Sequence, residues 1–300
     1  MGAVTPPRNG FTLTELVVVI ALAGIIASVI AGLIARPIQG YADVTRRAAL
    51  VDAADSALQR MARDVRRALP NSIRIRCNGA APPCGGAETL WALEMLDAHN
   101  GGRYREGPGP GAAAPECRLD FNSPAGDSEW AVAGGLGTGD TSGAVVIANW
   151  SATGPAANAY AGDNRTPSGT TVTVTSAPAV CNGELRLQLS SPFRFPFRSE
   201  RQRLFLVDTP ITYLCDSAGA TLRRYAGYTI QADQGDVDSH GELLGAGAAP
   251  ALVADKIGGC RITYQPGTSQ RAGLVTMELR ISDGSEQVRL LHQVHVENVP

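Results

Sequence analysis

The stretch RNGFTLTELVVVIALAGIIASVIAGLIARP, Arg8 to Pro37, decides how the rest of the chain is read. From Leu16 to Ala35 it holds 20 consecutive residues without a charge. At about 1.5 Å per residue that is roughly 30 Å of helix, the thickness of a bilayer's hydrocarbon core. A secretory signal peptide has a shorter apolar region, about 7 to 15 residues, ended by an A-x-A-like cleavage site. The run here is longer and passes without a loop into further helix-compatible sequence, so it predicts a membrane span. Within it Gly24, Ser28 and Gly32 recur every four residues, which sets them on one helix face where a second helix can come close. Small residues are also common in membrane helices generally, and the spacing fits that reading equally well. The flank before the span carries Arg8 and the initiating amine. By the positive-inside tendency this end stays in the cytoplasm and the body is exported, a signal weakened by Arg36, Arg46 and Arg47 on the other side.

Glu15 is the anomaly, because a carboxylate near the centre of a bilayer helix costs roughly 2.5 to 3.5 kcal/mol, and less near an end. The residues around it, G-FTLTELVVVIALAGIIAS, resemble the N-terminal signal of type IV pilins and pseudopilins: a short basic leader ending in glycine, a phenylalanine, a glutamate four residues on, then the apolar helix. The resemblance implies that a prepilin peptidase cuts after Gly10 and methylates Phe11, the new N-terminus. Glu15 becomes the fifth residue of the mature chain and pairs in the filament with the N-terminal amine of a neighbouring subunit. In that role it sets axial register, as a buried polar group does in coiled coils. The plain alternative is a helix-capping carboxylate in the headgroup region.

Beyond Pro37 the pattern is amphipathic. Ile38, Tyr41, Val44, Ala48, Val51, Leu58, Met61, Val65 and Leu69 follow 3/4 spacing, which predicts one helix from Phe11 to Leu69, bent at Pro37 and ended by Pro70. After Pro70 the period becomes two. Strands are predicted at 72–76, 89–96, 144–150, 170–175, 184–189, 203–207, 211–214, 221–230, 261–265, 273–282 and 287–296. Gly, Pro, Ala, Ser and Thr dominate 98–116 and 131–169, which predicts long surface loops around the strand at 144. The expected fold class is α+β, a long pilin helix on a β-rich body. The expected segments are a leader (1–10), a membrane helix (11–36), an amphipathic helix (37–70) and a β-rich periplasmic domain (71–300).

Several later stretches, RRALPNSIRI, SERQRLFLVDTPITYLC, LRRYAGYTI, CRITYQPGTSQRAGLVTMELRIS and LLHQVHVENVP, resemble the MshO-type minor pilins of the mannose-sensitive haemagglutinin (MSHA) pilus system. That resemblance implies a structural subunit in the bacterial inner membrane that enters a pilus near its tip, with prepilin peptidase, other minor and major pilins and membrane lipid as partners. A long chain with a large β body also resembles the J-type minor pseudopilin of type II secretion. A reading of another class is a signal-anchored periplasmic binding protein or enzyme.

A net charge of -2, from 26 basic and 28 acidic residues, gives no reason to expect nucleic acid. Six cysteines outside the span point to disulfides in an exported body, with Cys77–Cys84 and Cys215–Cys260 the expected pairs. No pair has C-x₂-C spacing, so no zinc site is expected. His292 and His295, three apart on a predicted strand, face opposite sides and make poor joint ligands. The run DQGDVD, Asp233 to Asp238, lacks the twelve-position calcium loop and reads as a solvated loop. GGLGTGD, Gly134 to Asp140, fits neither glycine-rich phosphate signature and reads as a flexible loop. No G-x-S-x-G or H-E-x-x-H motif occurs. No catalytic residue, metal or cofactor is therefore expected.

Overall fold

The computed structural model describes residue 10, residues 12–106, 117–134, 136, 142–175, 181, 183–267, 271–284 and 286–298, without the side chains of 34–39. It divides into two compact units, Met1–Ala49 and Leu50–Pro300.

Helix α1, Leu13–Arg67, is 55 residues long and continues through Pro37. In the first unit its described side chains are exposed all round, including Tyr41 at 76% and Val44 at 69%. These two residues, with Ala48 and Val51, were expected on the buried stripe and are not on it. The buried face starts at Leu50 and runs through Ala54, Ala57, Leu58, Met61, Ala62 and Val65. Alanine at three of these positions makes that face smooth, so the helix backbone lies close to what it covers. Asp64, on the same segment, accepts hydrogen bonds from Tyr213 Oη at 2.8 Å and Arg224 Nε at 2.7 Å. The Leu69 N–H donates to the Leu96 carbonyl just before Pro70, so the helix hands its chain directly to the sheet.

The first sheet comprises β1 (Arg74–Cys77), β2 (Leu90–Tyr104), β3 (Asp127–Ala133), β4 (Ala144–Ile147), β5 (Val172–Thr175), β6 (Leu185–Phe193), β7 (Arg203–Asp216), β8 (Thr221–Ala226) and β9 (Ala249–Asp255). Its order is β5-β6-β3-β2-β7-β8-β9, with β1 also on β2 and β4 also on β7. The second sheet is β10 (Ile257–Gln265), β11 (Gly273–Asp283) and β12 (Glu286–Val296) in that order, all antiparallel. A short helix α2, His240–Gly245, follows a turn of 3₁₀ helix at Gln234–Asp236.

The β2–β7 ladder is the spine. It pairs Leu90 with Asp216 at one end and Arg103 with Arg203 at the other, with register shifts at Leu96, Ala98 and Asn100. These bulges let one pair of strands serve two cores. One core joins α1 to Trp91, Leu93, Met95 and Tyr213 and to Val275, Met277, Leu279 and Ile281 of β11. The other gathers Tyr104, Trp130, Leu187, Phe195 and Leu204.

Several expectations are corrected here. Residues 203–207 and 211–214 belong to one strand, because Pro210 sits opposite Leu96 at the bulge, where the ladder is already shifted. The strand expected over 221–230 ends at Ala226, before Gly227 at φ +81°. The expected loop at 98–116 is strand as far as Tyr104, and part of 131–169 belongs to β3. The rest of 98–116, from 107, and Gly135 and 137–140 of GGLGTGD lie outside the described residues. DQGDVD is not merely a solvated loop: Asp233 caps the 3₁₀ turn, and Asp238 lies 2.6 Å from Arg76 Nε with 9% of its side chain exposed.

Candidate processing and assembly segment

Gly10 is exposed, and a Cβ added there would meet nothing within 4 Å. Phe11, on the far side of the expected cut, lies outside the described residues. Thr12 then starts the helix, its Oγ1 accepting the Glu15 backbone N–H at 3.3 Å. Thr12 and Glu15 thus occupy the first and fourth positions of a T-x-x-E capping pattern. Glu15 stands in the first turn of α1, where a carboxylate faces unpaired N–H groups and gains about 0.3 to 1 kcal/mol from the helix dipole. The acid that looked misplaced is at the one end of an apolar helix that favours a negative charge. The signal TLTE was present in the sequence.

The membrane-length segment is Leu13–Leu33, 21 residues with a mean hydropathy of 2.9 and no buried share. Gly24 and Gly32 have open space around them, and the Ser28 hydroxyl donates to the Ile25 carbonyl at 2.7 Å. Ser28 is therefore satisfied within its own helix and contributes small size, not an unpaired hydroxyl.

Residues 6–31 match the prokaryotic N-terminal methylation motif. The motif supports a type IV pilin-like precursor and implies processing by a prepilin peptidase in a pilin assembly context. With the apolar helix it fits a membrane-anchored protein whose body lies outside the bilayer. The match spans less than a tenth of the chain. No curated protein and no solved structure matches the chain.

In the body all six cysteines are paired: Cys77–Cys84, Cys117–Cys181 and Cys215–Cys260. The third bond ties β7 of the first sheet to β10 of the second. Among the described residues the one group within metal-ligand reach is Cys77, Cys84 and Glu88, and both its sulfurs are spent in a disulfide. His292 is half-buried and His295 exposed, on opposite faces of β12.

Sequence reasoning missed a buried polar network. Arg74 donates through Nε to Glu94 at 2.7 Å, through its other nitrogens to the carbonyls of Ala232 and Gln231, and lies 3.6 Å from the Tyr160 ring centroid. Tyr228 Oη donates to Glu94 at 3.1 Å, and Tyr160 Oη to the Ser72 carbonyl at 2.8 Å. Burial works against both charges, raising the Glu94 carboxyl. The Arg74 guanidinium is nonetheless held above its ordinary range by Tyr160 and Glu94. Every strong partner is internal, so the network braces the 228–238 segment against β1 and β2.

Proposed function

We propose that this chain is a minor pilin of an MSHA-type type IV pilus, a structural subunit and not an enzyme, set near the filament tip. In this reading it sits in the inner membrane with its body in the periplasm until assembly. The observation that carries it is the junction of Gly10, Thr12 and Glu15: an exposed glycine, a helix start at Thr12, and an acid in the first turn of a membrane-length helix. Cleavage after Gly10 creates an amine on Phe11. The dipole offsets part of the cost of Glu15 in lipid, and the amine of a neighbouring subunit supplies the remainder on assembly. The MSHA-type assignment rests on the resemblance of the later stretches, from RRALPNSIRI to LLHQVHVENVP.

The test is mass spectrometry of the N-terminal peptide from cell membranes, paired with Glu15→Ala. The expected mature chain begins with N-methyl-Phe11; an intact Met1 or a start beyond Ala35 overturns the reading. Glu15→Ala is expected to leave insertion and cleavage unchanged while the subunit is lost from filaments. Pili of normal number and length with the variant as sole copy would remove the register role.

A further inference from the structure

Strand β7 pairs with β2 along one edge. Along the other it pairs with β4 at Leu204–Val207 and with β8 at Ile211–Asp216. Asp208, Thr209 and Pro210 lie between those two partners, which leaves a notch in the sheet. A cavity of about 480 Å³ occupies it. Its lining comes from the start of β4, from Val207 to Thr209, from residues 227–230 after β8, and from Arg165 with residues 167–170. Gly143 forms part of the wall at φ +99°, and a Cβ there would stand 2.4 Å from the Val207 carbonyl oxygen, so only glycine lets the chain pass this close to β7. The volume falls within the range of pockets for small organic molecules, about 300 to 1,000 Å³.

Arg165 sets the chemistry of the notch. The backbone on either side of it is fixed against β4, with the Ile147 N–H donating to the Asn164 carbonyl at 3.1 Å and the Thr166 N–H to the Val145 carbonyl at 3.0 Å. Its Nε donates to the Ala159 carbonyl at 2.8 Å, which holds the guanidinium in place. Among the described residues its two terminal nitrogens have no acceptor, and neither Asp163 nor Asp208 forms an ion pair with it. Burial alone acts on this guanidinium, pulling it below its ordinary range. Arg74, Arg105, Arg224 and Arg289, by contrast, are each held up by a carboxylate. A desolvated cation without a partner is costly, and an acceptor brought by an occupant relieves that cost.

The hydroxyls of the lining add donors. Thr209 Oγ1 accepts the Gly227 N–H at 3.2 Å and Thr229 Oγ1 accepts from Gln231 Nε2 at 2.8 Å, so each keeps its own proton to donate. Ser168 and Thr170 bring two further hydroxyls. Asp208 is the one acid in the lining, exposed and without a hydrogen-bond partner among the described residues. It disfavours a compact dianion and can accept protons from an occupant's hydroxyls. We propose that this notch binds a small polyhydroxylated carboxylic acid of the sugar-acid class, its carboxylate on the terminal nitrogens of Arg165 and its hydroxyls between Asp208 and the threonines. The planar guanidinium matches a carboxylate with two parallel N–H donors. The proposal goes beyond the pilus reading and stands without it, because every residue of the notch belongs to the folded body.

The test is isothermal titration calorimetry on the full chain in lipid nanodiscs at constant ionic strength. The probes are D-glucuronate, D-galacturonate, D-gluconate and N-acetylneuraminate, with D-glucose and sulfate as controls. At least one of the acids is expected to bind saturably, glucose not to bind, and sulfate to bind more weakly by about tenfold or more. Arg165→Gln is expected to weaken the best acid by about tenfold or more. That variant also loses the bond to Ala159, so Ser168→Asp is the second. Residue 168 is exposed, which spares the fold, and the added carboxylate is expected to weaken the acid by a similar factor. Saturable binding by none of the acids overturns the proposal. Glucose binding as tight as the acid's does the same, and so does sulfate binding as tight, which would leave an adventitious ion only. Undiminished binding of the acid by Ser168→Asp, or by a folded Arg165→Gln chain, also overturns it.

Discussion

Glu94 has no exposed surface, and its charge is met entirely within the chain by Arg74 at 2.7 Å and Tyr228 at 3.1 Å. Removing one member of such a pair leaves the other buried and uncompensated, a loss of about 3 to 5 kcal/mol. Glu94→Gln is therefore expected to lower unfolding stability by about 3 kcal/mol or more in denaturant titration. A loss below about 1 kcal/mol would mean that water reaches Arg74 in the variant. Glu15 is the contrasting acid, answered within its own chain by a helix N-terminus and, on the proposed reading, fully only by another subunit. Glu15 was conspicuous in the sequence because it interrupts an apolar run. Glu94 was not, since LWALEML reads as an ordinary strand with one polar residue, and its partner is 20 positions away.

At the scale of elements, α1 shows how far periodicity reaches. The expected helix, Phe11 to Leu69, and the observed one, Leu13–Arg67, differ by two residues at each end, because Pro70 stops the helix and Thr12 starts it. Which face is buried was less legible. A stripe drawn through Val51 and Val44 competes with one through Leu50, Ala54 and Ala57, and small residues count for little on a hydropathy scale although they allow close approach. Ala57 is 1% exposed, so Ala57→Leu is expected to overpack the helix face and cost about 1 to 3 kcal/mol. A neutral or stabilising result would show a void beside it. Strand β9, APALVAD, was missed because alanine and proline have low strand propensity; pairing with β8 makes it an edge strand. Strand β3, DSEWAVA, was missed for its polar start, and is held by β6 and by Trp130, which is fully buried. Helix α2 had a readable signal, since Ser239 and Glu242 form a complete capping box.

At the scale of the whole molecule, the body is two sheets sharing a helix-covered core and stapled by Cys215–Cys260, 45 residues apart in sequence. Cross-links that close loops of this order stabilise by about 3 to 4 kcal/mol, chiefly through the unfolded chain. The Cys215→Ala/Cys260→Ala double variant is expected to unfold at lower denaturant by a loss of about that size, with α1 and both sheets retained in native buffer by circular dichroism. An unchanged midpoint would show that packing of Val275, Met277 and Leu279 against α1 alone holds the sheets together. What the sequence determined by itself is local and periodic: the membrane-length helix, its cleavage-like start, the switch from period 3.6 to period 2, and the even set of cysteines. These are legible because each depends on residues within a few positions of one another. Only the tertiary structure decided which strands are neighbours, that β2 and β7 bend to serve two cores, that Cys117 meets Cys181, and that Arg165 and Asp208 line one cavity. Many of the deciding contacts join residues far apart in sequence, such as Cys215 with Cys260, 45 positions apart, and Asp64 with Arg224, 160 apart. No short-range pattern encodes such pairings, because they follow from how the apolar faces of distant elements cover one another.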